Sequence, residues 1–152
     1  MGLNGKLIAE VEIMSPADKF YAMFKEKPHH IAKGVETLPD VQLHEGSWAD
    51  HGCVKSWSYV LPDGKVEKFK ERSTWEEGTR TMKMVGLEGD PLKHFKNYTT
   101  VMTVAPNTKG AGSVAKWIIE YEKRSEGIAD PVHLLGVCIK ATRELDAHIL
   151  KG

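Results

Sequence analysis

A surplus of charge of one sign is the first thing this sequence lacks. Its 152 residues carry 21 Lys and Arg against 21 Asp and Glu, so the formal net charge is zero. Nucleic-acid binders draw much of their affinity from a basic surplus that neutralises phosphates, and none exists here. Nor is there a polybasic cluster to hold an anionic membrane surface. Long apolar runs are missing too. The longest, Val132 to Ile139, falls well short of the ~20 residues a spanning helix needs, which excludes an integral membrane helix. Cysteine is scarce: Cys53 and Cys138 are too few for a disulfide framework. Glu10 and Glu12 interrupt what would otherwise be an export signal. The protein is therefore expected in the cytoplasm with both thiols reduced. Met1-Gly2 opens like a myristoylation start, but Lys6 stands where Ser or Thr belongs. No Pro-rich, Ser-rich or single-charge block divides the chain, and no internal repeat appears. One domain over residues 1–152 is expected.

Apolar residues are 41% of the chain, enough for a packed core, and 28% are charged. The periodicity then gives the elements. Leu7, Ala9, Val11 and Ile13 alternate with Ile8, Glu10 and Glu12, the period of a strand with one buried face. Ser15-Pro16 supplies an N-cap and a first-turn proline for a short helix over 17–25, with Phe20, Met23 and Phe24 on its apolar side. A second short helical piece holds His29, His30 and Ile31 between Pro28 and Gly34. Alternating runs follow at 41–45, 54–60, 66–75, 80–87, 98–105 and 114–123. Pro62-Asp63-Gly64, Glu77-Gly78, Glu88 to Pro91 and Lys109 to Gly112 turn the chain between them, which spells an antiparallel meander. After Asp130-Pro131, an N-cap and a proline, Leu134, Leu135, Cys138, Ile139, Thr142, Leu145 and Ile149 recur at helical spacing over about five turns. Strand, two short helices, six strands and a long helix make an α+β order, in which a curved sheet wraps the long helix and leaves room for a cavity.

That order and several segments resemble the plant major latex protein family, a branch of the birch pollen allergen (Bet v 1) superfamily. The segments are Gly2 to Leu7, His44 to Trp48, His51 to Tyr59, Phe69 to Arg72, Gly86 to Asp90, Ile119 to Lys123, Asp130-Pro131 and Asp146 to Ile149. The resemblance runs essentially end to end. It implies the helix-grip fold: a seven-stranded curved antiparallel sheet with two short helices, gripping a long C-terminal helix over a large apolar cavity. It also implies binding of hydrophobic small molecules such as lipids, sterols, plant hormones or secondary metabolites, in defence or stress response. Two departures stand out. Many relatives carry several glycines between the second and third strands, whereas Gly46 to Gly52 has glycine only at its ends. The hormone-receptor gate has only a partial likeness in Leu61-Pro62.

The resemblance turns Lys55, Trp57 and Tyr59 inward. With them the expected ligand-binding set is Phe24, Phe69, Glu71, Met82, Met84, Tyr98, Thr100, Met102, Trp117, Leu135, Ile139 and Thr142. Methionine adapts its shape and aromatics offer broad apolar area, which suits varied hydrophobes. Lys55 stands out as a cation between apolar neighbours. It has four readings: pairing a ligand carboxylate or hydroxyl, pairing Glu71, snorkelling to the rim, or serving as a catalytic amine. Cys138 belongs to the core, and Cys53, beside a loop, is expected at the surface. The mixed charges of Glu67, Lys68, Lys70 and Arg72 describe a solvated, paired face.

No catalytic residue, metal site or cofactor is expected. The seven histidines show no zinc spacing and belong to the surface or to helix ends. A nucleophile elbow and a phosphate-binding loop are both missing. The first expectation is a carrier or sensor of hydrophobic small molecules, a monomer or weak dimer. The alternatives are a small enzyme with Lys55, Tyr59 or Glu71 as acid–base groups, and a module that docks a partner when loaded.

Overall fold

The computed structural model describes residues 2–152. Its strands are β1 (Asn4–Ile13), β2 (Asp40–Glu45), β3 (Cys53–Val60), β4 (Val66–Glu76), β5 (Thr81–Gly89), β6 (Phe95–Pro106) and β7 (Ser113–Lys123). The helices are α1 (Ala17–Glu26), α2 (Pro28–Gly34) and α3 (Val132–Leu150). The seven strands form one antiparallel sheet in the order β1-β7-β6-β5-β4-β3-β2. The meander from β2 to β7 is continuous, and β1 closes against β7 rather than against β2. The edges are therefore β1 and the short β2. The expected helix-grip architecture is what the chain adopts, with β1 and β6 longer than the alternation alone marks.

Both prolines expected to follow a capping side chain are themselves the N-caps. Pro16 caps α1 and Pro131 caps α3, neither with a side-chain hydrogen bond. Ser15 is drawn elsewhere: its N–H (2.9 Å) and its hydroxyl (2.5 Å) both donate to Asp146 Oδ1 on α3. Met14 N–H donates to the other oxygen of Asp146 at 3.0 Å. One carboxylate thus ties the β1–α1 link to the C-terminal helix. Asp130 likewise works through tertiary contacts. It accepts the Tyr121 hydroxyl at 2.6 Å and pairs with Lys123 at 3.0 Å. These contacts hold Asp130 below the usual carboxylate range, while burial and the Asp130 carboxylate push Tyr121 up to about 12.

Two apolar clusters make the core. The first gathers Phe20, Phe24, Trp57, Met82, Met84, Met102, Trp117, Ala141 and Leu145 with their neighbours. The second gathers Tyr59, Phe69, Phe95, Tyr98, Tyr121, Leu134 and Val137. On α3 the fully buried positions are Leu134, Val137, Ala141, Thr142 and Leu145, a stripe at i, i+3, i+7, i+8 and i+11. Leu135, Cys138 and Ile139 are only half-buried at its side.

Candidate functional site: an apolar cavity with one buried carboxylate

Where the two clusters meet, the side chains do not fill the space. The gap is lined by Phe24, Trp57, Met84, Trp117 and Ala141 from the first cluster and Tyr59, Phe69, Tyr98, Leu134 and Val137 from the second. Leu38, Pro91, Thr100, Cys138 and Glu71 complete the wall. Leu38 follows α2, Pro91 sits in a short 3-10 turn (Asp90–Lys93), and Leu134 is in the first turn of α3. The cavity has a volume of about 90 Å3. That corrects the large cavity implied by resemblance, since pockets for drug-sized ligands span roughly 300–1,000 Å3. Aromatic packing is the reason. The Phe69 ring meets Tyr98 edge-on at 5.4 Å, and Phe24 meets Trp117 at 5.8 Å and Trp57 at 6.3 Å.

Of the expected binding set, Phe24, Trp57, Tyr59, Phe69, Glu71, Met84, Tyr98, Thr100 and Trp117 lie on this wall. Lys55, Met82, Met102, Leu135, Ile139 and Thr142 do not. Met82 and Met102, paired across β5 and β6, are fully buried in the first cluster. Leu135 and Ile139 lie to one side of the stripe that α3 turns to the cavity. Leu134, Val137, Cys138 and Ala141 stand there instead. Thr142 is buried but acts as a strut. Its hydroxyl accepts the Trp117 indole N–H at 2.7 Å and donates to the Cys138 carbonyl, also at 2.7 Å. Burial pushes the Cys138 thiol up to about 12, so it stays protonated and inert. Residues 38, 91, 134, 137, 138 and 141 line the wall outside the expected binding set. The i, i+3, i+4, i+7 spacing of the last four was the available signal; Leu38 and Pro91 lie in links that carry none.

Behind the wall lies a polar cluster built by strand register. Lys55 on β3 pairs with Glu71 on β4, and Cys53 pairs with Ser73. All four side chains point to the concave side and are buried. Lys55 Nζ donates to Ser73 Oγ at 2.9 Å and to Cys53 Sγ at 3.4 Å. It also stands 5.1 Å from the centre of the Trp75 ring. Ser73 in turn donates to Glu71 Oε2 at 2.5 Å, and that oxygen is 4.0 Å from Lys55 Nζ. Glu71 Oε1 has no hydrogen-bond partner. Burial raises the Glu71 pKa, while Lys55, Ser73 and the Trp57 indole favour its charged form. Of the readings of Lys55, pairing with Glu71 is the one the structure adopts. Cys53 corrects another expectation. It is 2% exposed, because it shares the inward face of Lys55 and its thiol donates to the Trp48 carbonyl at 3.5 Å.

Tyr59 donates its hydroxyl to Glu67 at 2.8 Å; burial and that carboxylate raise its pKa far above the usual range. Glu67 therefore serves the inward face, apart from Lys70 and Arg72. Those two make exposed pairs with Glu88 (3.1 Å) and Glu45 (3.8 Å) as expected. His29 is half-buried rather than superficial, stacked on Trp48 with ring centres 5.1 Å apart.

Residues 2–152 match the model of the pathogenesis-related protein Bet v 1 family. The chain belongs to that family. MLP-like protein 43 of Arabidopsis thaliana is 40% identical over 152 residues, covering 97% of this chain and 94% of that protein. MLP-like protein 28 of the same plant is 39% identical over 150 residues; 97% of this chain is covered, yet it spans only 44% of that longer relative. Ginseng major latex-like protein 151 from Panax ginseng superposes with a TM-score of 0.90 at 32% identity, over 97% of this chain and 98% of that one. A norcoclaurine synthase from Thalictrum flavum, solved with dopamine and hydroxybenzaldehyde, has a TM-score of 0.72 over 97% of this chain and 87% of its own. At 18% identity that likeness is one of fold alone. The chain thus has major latex-like relatives across its length and shares its fold with an enzyme. Among the described residues no helix is long and apolar enough to cross a membrane.

Proposed function

We propose that this Bet v 1 family member carries or senses a hydrophobic small molecule, held between the concave sheet and α3. The observation that supports this is an unfilled gap with an almost wholly apolar lining at the junction of two core clusters. A core built only for stability closes such a gap, because cavity surface lowers stability. A ligand that buries about 200 Å2 of apolar area there gains about 5 kcal/mol at 25 cal/mol per Å2, before losses of freedom. On this reading the protein works in the cytoplasm as one domain, a monomer or weak dimer, in a defence or stress response, with no catalysis of its own.

Native mass spectrometry of protein purified from its own tissue tests this. An apolar molecule recovered unchanged from the protein is the expected result. A protein that arrives empty and stays empty with fatty acids, sterols and plant hormones refutes it. The second reading, a small enzyme, draws support from the buried Glu71 carboxyl on the cavity wall, whose raised pKa suits acid–base work. Conversion of the recovered molecule on incubation would favour that reading over the carrier.

A further inference from the structure

The cavity wall carries one carboxylate beside the hydroxyls of Tyr59, Tyr98 and Thr100, and the nearby cation is withheld from the wall. Lys55 is fully buried behind the wall. An ammonium has three donors. Here they have three partners: Ser73 Oγ at 2.9 Å, Cys53 Sγ at 3.4 Å and the face of Trp75 at 5.1 Å. The hydrogen bonds then run in one direction. Lys55 donates to Ser73, and Ser73 uses its only proton on Glu71 Oε2 at 2.5 Å. Both donors point toward Glu71 and favour its charged form, against the burial that opposes it. Its other oxygen, Oε1, is buried and makes no hydrogen bond, with the Trp57 indole the further donor beside the carboxyl. Across the sheet, Glu71 faces Lys55 on β3 and Gly86 on β5, so the β5 side offers no side chain to satisfy it. Buried polar atoms are almost always paired, and a carboxylate oxygen without a donor is costly.

We propose that Glu71 Oε1 is the recognition point for a hydroxyl group on an otherwise apolar ligand, an inference that rests on the carrier reading above. Charge decides the head group. Lys55 and Glu71 together are neutral. A ligand carboxylate would add a second negative charge beside Glu71, so fatty-acid anions are rejected. An ammonium would leave a net positive charge in an apolar gap, since Lys55 already balances Glu71. An alcohol supplies the missing donor and leaves the balance intact. Its O–H donates to Oε1 as a charge-assisted hydrogen bond, and no proton is transferred.

The test uses the purified chain at pH 7 with the apolar fluorophore N-phenyl-1-naphthylamine bound. Four compounds compete for the site: octanol, its isomer heptyl methyl ether, which has no donor, octylamine and octanoate. Octanol is expected to displace the fluorophore at least about tenfold more tightly than the ether or octanoate, as a hydrogen bond to a charged group provides. In the paired replacement Lys55→Met with Glu71→Leu, which removes both charges together, octanol's advantage over the ether is expected to vanish. An ether as tight as octanol in the unaltered protein overturns the proposal, and so does an advantage that survives the paired replacement. Octylamine or octanoate as the tightest competitor also overturns it. If the fluorophore binds while octanol shows no preference, the carrier reading stands and only the hydroxyl site falls. If neither the fluorophore nor any of the four binds, both fall.

Discussion

Removing the cation while leaving its partner is the sharpest perturbation this core offers. Lys55→Met keeps most of the side chain's volume and strands Glu71 in the fold. Two routes give the magnitude. At 4.0 Å and an effective dielectric constant of about 20, the lost Coulomb attraction is about 4 kcal/mol. The second route sets a ceiling, because Glu71 escapes by taking up a proton. Holding an ordinary carboxyl, which titrates near 4.3, in its neutral form at pH 7 costs 1.36 kcal/mol for each of about 2.7 pH units, about 3.7 kcal/mol. Both agree with the 3–5 kcal/mol typical of breaking a buried pair.

The second route carries a sign. A carboxyl whose folded pKa is raised contributes stability below its unfolded pKa and loses it as pH rises through the folded value. Burial already raises Glu71, and removal of Lys55 raises it further. The cost of Lys55→Met is therefore at most about 3.7 kcal/mol at pH 7 and at most about 1 kcal/mol at pH 5. Urea unfolding of the unaltered protein, Lys55→Met, Glu71→Leu and the double replacement at both pH values reads this directly. The double replacement should recover most of the loss, because buried pairs replaced by apolar groups are often neutral or better. A loss under about 1 kcal/mol at pH 7, a loss that ignores pH, or a double replacement that equals the sum of the singles would refute the reasoning.

Two further expectations follow from neighbouring contacts. Thr142→Val removes the acceptor of the buried Trp117 indole N–H and should cost about 1–3 kcal/mol in chemical unfolding, with Thr142→Ser close to the unaltered protein; a Val variant of full stability would show that the strut is idle. His29 is held below the usual value of 6.5 by burial and by its neighbours His30, Lys33 and Lys27. Its contribution to stability is thus present above that value and lost as pH falls through the lower folded pKa. Its ring signals in an NMR titration should move with a midpoint below 6.5, and a midpoint at or above that value would contradict the packing against Trp48.

The strands were legible because a half-buried sheet writes a period of two, and turns such as Pro62-Asp63-Gly64 mark its corners. The same period was enough to place Lys55, Trp57 and Tyr59 on one face. It also holds Cys53 there, and only the polarity of the adjacent loop argued otherwise. Alternation is silent on register, and register decides the site. That Lys55 lies opposite Glu71 and Cys53 opposite Ser73 follows from how β3 and β4 align, not from either strand alone. On α3 the difficulty was rotation. Apolar residues at 134, 135, 137, 138, 139, 141 and 145 cover more than one face, so the period left two stripes to choose between. The small Ala141 and the lone Val137, set among larger neighbours, are the ones that turn toward the cavity.

Cavity size was the least legible property, because it depends on how a few large side chains pack rather than on which residues are inward. Phe69 shows why. A Cβ on Gly86 would stand 2.8 Å from the Phe69 ring and 2.8 Å from the Tyr98 carbonyl, so glycine there lets Phe69 lie against β5. The ring thereby occupies space beside Tyr98 that a ligand would need. At about 90 Å3 the gap is smaller than the ~150 Å3 that accepts benzene in an engineered apolar core. Binding on the proposed reading therefore includes the work of moving aromatic and methionine side chains, and affinity is the difference between that work and the apolar area the ligand buries. This places selectivity in two different residues. Phe69 sets how much apolar body is admitted, through rotamers that adapt. On the proposed reading Glu71 sets which head group is tolerated, through a carboxylate whose second oxygen makes no hydrogen bond. Shape discrimination in such a gap is soft, at about 1–3 kcal/mol per methylene, whereas a wrong charge against a buried carboxylate has no side-chain motion to relieve it. On that reading the head group, more than the body, is where this cavity discriminates.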